Sequence, residues 1–168
     1  MIPSLILAVT VSHAAKLTGF AELPSDTFRP GPTSGQFIKA ANQRKPPFVD
    51  QQPVQGFSAL IKGPDGSYFA LSDNGFGRRN DSSDYILSIY QLEPDFRTAS
   101  GGSGDIRLLE TITLSDPDGY LPYPATRPQD RLLTGADLDP ESFRRMSDGS
   151  FWIGEEFNPS VVHFSPLG

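Results

Sequence analysis

One gapless self-match constrains this chain more than any other feature. Residues 57–74 and 140–157 align at an offset of 83 positions. Asp65-Gly66-Ser67 falls on Asp148-Gly149-Ser150, Tyr68-Phe69 on Phe151-Trp152, Lys62 on Arg145, and Asp73 on Glu156. Each copy centres on an Asp-Gly turn, because glycine accepts the positive φ of a tight reversal. Each turn leads into aromatic and β-branched residues, which suit a strand. A hairpin repeated in this way predicts a repeat architecture, a question that precedes any other about fold.

The second copy is rich in carboxylates. Asp137, Asp139, Glu141, Glu155 and Glu156 all stand outside its turn. Folding residues 140–157 as a hairpin is expected to carry these five acids to its open end, where they would repel one another. A bound cation would offset that repulsion.

Strands are expected at Lys16–Leu23, Gly56–Lys62, Tyr68–Ser72, Tyr85–Leu92, Ile106–Leu114, Leu138–Arg145, Ser150–Gly154 and Ser160–Phe164. In Ile106–Leu114 the apolar residues alternate with polar ones. No amphipathic helix of useful length is evident, and sixteen glycines and sixteen prolines in 168 residues favour turns over long helices. Four successive antiparallel strands make one propeller blade. The expectation is an all-β chain, a partial β-propeller of about one and a half four-stranded antiparallel blades. Because closed propellers have about four to eight blades, the chain is expected to be a truncated piece of a larger one.

The expected organisation has three parts. Residues 1–14 read as a signal peptide, with an apolar run at 2–12 and Ser12-His13-Ala14 as a cleavage site, though no Lys or Arg precedes the run. A first buried strand is the other reading of that stretch. Residues 15–55 are an N-terminal strand and a proline-rich connection, and residues 56–168 are the blades. Secretion or a periplasmic location follows from the signal, with no integral membrane segment left after its removal; the apolar run is too short to span a bilayer as a helix.

Composition removes several chemistries. There are no cysteines, so disulfides, thiolate metal sites and a cysteine nucleophile are excluded. His13 and His163 are the only histidines, too few for a histidine-rich metal centre. A net charge of −6 argues against nucleic acid as a partner. The string Gly56-Phe57-Ser58-Ala59-Leu60 begins like a nucleophile elbow and lacks its final glycine. His163 reads as a structural side chain within a strand, and Asp65 and Asp148 as turn residues.

Gly56-Phe-Ser-Ala-Leu, Asp65-Gly-Ser-Tyr-Phe-Ala-Leu-Ser-Asp-Asn-Gly, Asp139-Pro-Glu-Ser-Phe and Asp148-Gly-Ser-Phe-Trp-Ile-Gly-Glu-Glu-Phe resemble the phytase-like family, "esterase-like activity of phytase". The resemblance covers roughly residues 50–168, less than the full family domain. It implies a secreted or periplasmic β-propeller using Asp and Glu, with metal assistance, to hydrolyse a small-molecule ester or phosphoester.

From the residues themselves, Asp73, Asn74, Asp139, Glu141, Glu155 and Glu156 are candidate metal ligands, since calcium prefers carboxylate, amide and carbonyl oxygens. The expected cofactor is a divalent cation, calcium by this donor chemistry. Glu141 and Glu156 are the candidate catalytic carboxylates. The alternatives are a non-catalytic propeller binding module with a structural metal, or an inactive fragment.

Overall fold

A computed structural model describes residues 15–41 and 43–168. The expected signal peptide, residues 1–14, lies outside the described residues. The strands are β1 (Gly19–Phe20), β2 (Phe28–Pro30), β3 (Gln51–Pro53), β4 (Phe57–Lys62), β5 (Tyr68–Ser72), β6 (Ser88–Pro94), β7 (Arg97–Thr98), β8 (Ile106–Thr113), β9 (Pro140–Arg145), β10 (Phe151–Glu155) and β11 (Ser160–Phe164). Among the described residues the helical elements are the 3₁₀ turns Pro64–Gly66 and Arg79–Asp81.

The self-match is realised strand for strand. Shifting β4 and β5 by 83 positions gives the bounds of β9 and β10. The pairing registers shift with them: Phe57 opposes Ser72 and Ala59 opposes Leu71, just as Pro140 opposes Glu155 and Ser142 opposes Gly154. In both hairpins one residue is left without a partner, Ser58 in β4 and Glu141 in β9. A bulge of this kind bends its strand and re-aims a side chain. Backbone bonds recur at the same offset. Asp73 N–H donates to Gly56 C=O at 2.6 Å, and Glu156 N–H donates to Asp139 C=O at 3.1 Å. At the turns, Gly63 N–H donates to Ser67 C=O and Met146 N–H to Ser150 C=O.

The antiparallel sheet β4-β5-β6-β8 has four strands, and β11-β10-β9 has three. Alternation along each strand gives each sheet an apolar face. Those faces share one core, with Phe69, Leu71, Ile89 and Ile112 from the first sheet and Phe143, Phe151, Ile153 and Phe164 from the second. The rings of Phe69 and Phe151 meet edge-on with centroids 6.1 Å apart. Among the described residues no closed barrel forms, and the structure carries the propeller reading no further than two antiparallel meanders packed on each other.

The expected third strand shifts from Tyr85–Leu92 to Ser88–Pro94 because the backbone before it is engaged elsewhere. Tyr85 C=O accepts from Gly135, Leu87 N–H donates to Leu133, and Leu87 C=O accepts from Leu114. The expected first strand shrinks to Gly19–Phe20, which pairs with Arg97–Thr98 of β7.

The proline-rich segment is built onto the first sheet. Strands β2 and β3 pair with each other. Val54 and Leu23 join Ala70, Tyr90, Leu92 and Leu108 in a second apolar cluster on that sheet's other face. Arg29 donates to Ser88 Oγ at 2.9 Å, and buried Gln52 donates to Pro32 and Asp84 carbonyls and accepts from Ile86 N–H. The face of the second sheet turned away from the shared core carries Trp152 and His163, stacked with centroids 4.6 Å apart, and Trp152, the repeat counterpart of the core residue Phe69, is 44% exposed.

Candidate metal centre

The open ends of the two repeated hairpins meet. There Asp139, Glu141 and Glu156 each offer a carboxylate oxygen, and these oxygens lie within 4.8 Å of one another. Each residue has a backbone reason to be there. Asp139 immediately precedes β9, Glu141 is the unpaired residue of its bulge, and Glu156 follows β10, tied to Asp139 by the 3.1 Å backbone bond.

Asp139 is buried and held rigidly. Asn74 donates to it from its backbone N–H at 3.1 Å and from its side-chain amide at 2.7 Å. The Asn74 carbonyl oxygen accepts from Gly77 N–H at 2.7 Å, which locks the amide orientation. Asp73 approaches from the first hairpin and accepts from Gly75 N–H at 2.7 Å. Gly56 makes room for it: its φ is +65°, and a Cβ there would stand 2.2 Å from Asp73 Oδ1. Both the conformation and the space therefore require glycine.

Two carboxyl groups at this place hold their protons more tightly than usual. Desolvation raises the Glu141 carboxyl above its ordinary 4.5; the Ser58 hydroxyl acts against this, and the charges of Asp139, Glu156 and Asp73 add to the rise. Asp73 is also raised above 3.8, first by desolvation and then by Asp139, with the Gly75 hydrogen bond opposing. The turn carboxylate Asp148 moves the other way, lowered mainly by hydrogen bonds from Ser150.

The structure gathers some of the expected acids and separates others. Asp139, Glu141 and Glu156 come together, with the charge of Asp139 felt at Asp73 and the charge of Asp73 felt at Glu141. Asn74 is present as the brace of Asp139. Glu155, adjacent to Glu156 but on the other side of the strand, is buried and closes the following turn by accepting from Phe157 N–H, Asn158 N–H and Ser160 Oγ. Asp137 is likewise removed from the expected crowd of five. Its oxygens accept from the backbone N–H and hydroxyl of both Thr126 and Thr134. Ser58 and Gly56 take part although sequence reasoning gave them no place. The repeat itself held the signal, since they are the first-copy equivalents of Glu141 and Asp139.

The donors suit a hard divalent cation. Two oxygens bound to one calcium at about 2.3–2.6 Å can be no more than about 5 Å apart, a limit that the 4.8 Å cluster satisfies. Among the described residues, the ion pairs are Arg107–Glu93, Arg127–Asp130 and Arg131–Asp116, so no Arg or Lys is paired to the cluster.

Fold and site together define an all-β protein with a carboxylate cluster at the junction of two sheets. The family model for phytase-like proteins, "esterase-like activity of phytase", matches residues 52–168, and the chain belongs to that family. Comparison with curated proteins and with solved structures gave no match.

Proposed function

We propose that this phytase-like chain hydrolyses phosphoesters or other esters of small molecules, assisted by a divalent cation, calcium by donor chemistry. The observation that carries this reading is the convergence of Asp139, Glu141 and Glu156 within 4.8 Å. Asp139, Glu141, Glu156 and Asp73 would hold the ion. When bound, such an ion polarises an ester oxygen and makes a bound water more acidic.

The protein's own groups divide the remaining work. Asp139 is buried and doubly held by Asn74, so it serves as a fixed ligand. Glu141 and Glu156 are exposed, which leaves them open to substrate and to proton exchange. One of them, in its ionised form, takes the proton of the attacking water. Asn74 positions Asp139, and Glu155 shapes the turn beyond Glu156.

The same proposal takes residues 56–168 as part of a β-propeller and residues 1–14 as a leader to a secreted or periplasmic location. No helix among the described residues is long and apolar enough to cross a membrane. Release of p-nitrophenol from phosphate monoesters, phosphate diesters and carboxyl esters tests the activity. Turnover that needs the cation and is lost in Glu156→Gln, with an unchanged circular dichroism spectrum, is the expected result. Cation binding without turnover on any of these esters would leave a binding module instead.

A further inference from the structure

The turn ends of the same two hairpins have the opposite character. A cleft of about 440 Å³ lies between them, and its lining includes Ile61, Lys62, Arg144, Arg145 and Met146 and no acidic residue. Lys62 ends β4, and Arg144 and Arg145 end β9, so the cleft lies a strand length from the carboxylates at the open ends.

These cations are uncommitted. Among the described residues none of Lys62, Arg144 and Arg145 is in an ion pair or donates a side-chain hydrogen bond to the protein, although all are exposed. Nearby Asp148 accepts from Ser150 N–H and Ser150 Oγ, and Asp65 lines a different crevice. Arg145 is also oriented in advance. Its guanidinium carbon lies 5.0 Å from the ring centroid of Phe69 and 5.9 Å from that of Phe151, contacts that do not use its N–H donors. A planar fork held in this way pairs with carboxylate or phosphoryl oxygens. In a chain of net charge −6, three cationic residues at the lining of one cleft concentrate positive potential locally: Arg145, paired with Phe151, faces the space between the sheets, and Lys62 and Arg144, paired with Tyr68 and Trp152, flank it.

We propose that this cleft binds a small multivalent oxyanion, a molecule with two or more phosphoryl or carboxylate groups, independently of the carboxylate cluster. Trp152, the only tryptophan, is the cross-strand partner of Arg144 and supplies the signal. The full chain, freed of metal on a chelating resin, is titrated with pyrophosphate and with citrate while tryptophan fluorescence and calorimetric heat are followed. Saturable binding of either is expected, weakening with salt. Pyrophosphate alone would assign phosphoryl ligands, and citrate alone carboxylate ligands. Arg145→Gln should weaken it about tenfold or more, as loss of a charge-assisted bond does. The exposed substitutions Lys62→Gln and Arg144→Gln should each weaken it without lowering the melting temperature, and Glu156→Gln should leave it unchanged. Absence of binding to both anions, or binding that ignores all three cation substitutions, overturns the proposal.

Discussion

The β4–β5 and β9–β10 hairpins have the same strand lengths, the same register and the same bulge, yet they do different things. The first has Gly56 and Ser58 where the second has Asp139 and Glu141. Its outer face is covered by the N-terminal segment through Val54, Leu23 and Arg29, whereas the second leaves Trp152 and Val161 in solvent. The first copy thus supplies space, a brace and one carboxylate, in Gly56, Asn74 and Asp73, and the second supplies the other three carboxylates. A repeated backbone fixes where a side chain can reach; exchange at equivalent positions then decides what that place binds.

The largest expected effect breaks the contact that holds the two copies together. Phe151 is fully buried between the sheets, and Phe151→Ala should cost about 3–5 kcal/mol in denaturant unfolding. A loss under about 1 kcal/mol would mean that the sheets do not share a core. Next, the two outer faces should respond unequally. Leu92→Ala, under the N-terminal segment, should cost about 2–5 kcal/mol, and Trp152→Ser, on the open face, less than half as much. Equal losses would erase the distinction.

Gly56→Ala sharpens the comparison at the site. Positive φ for alanine costs about 1–3 kcal/mol, and the added methyl would collide with Asp73. Both melting temperature and cation affinity should therefore fall.

The smallest effect is in pH. Glu141 and Asp73 are raised above 4.5 and 3.8, so the folded state without a cation holds protons more tightly than the unfolded chain. Their contribution favours folding at low pH and is lost as pH rises through the folded values. The metal-free melting temperature should pass through this fall, and Glu141→Gln should flatten it. Exposed Asp148, lowered by Ser150, should contribute in the opposite sense. A fall of the same size in Glu141→Gln would remove Glu141 from the account.

Much of this was legible from residues alone. The Asp-Gly turns, the offset of 83 and the strand runs placed β4, β5, β8, β9, β10 and β11 closely, because short-range alternation and turn chemistry decide them. Glu155 and Asp137 were not separable from Glu156 and Asp139 by spacing. Their fate depends on which nearby N–H and hydroxyl groups the loops present, and those loops take shape only in three dimensions. Likewise Tyr85–Leu87 looks like strand, yet its hydrogen bonds go to distant residues 114 and 133–135.

The central claim is that carboxylates from the open ends of the two copies hold one divalent cation. Calorimetric titration of calcium into the metal-free chain, with the melting temperature followed alongside, tests it most directly. Binding at a single site is predicted, with a higher melting temperature and about tenfold or more weaker affinity in both Asp139→Asn and Glu156→Gln. No heat and no shift in melting temperature at about 1 mM calcium, the weak end of calcium sites in extracellular modules, would contradict it.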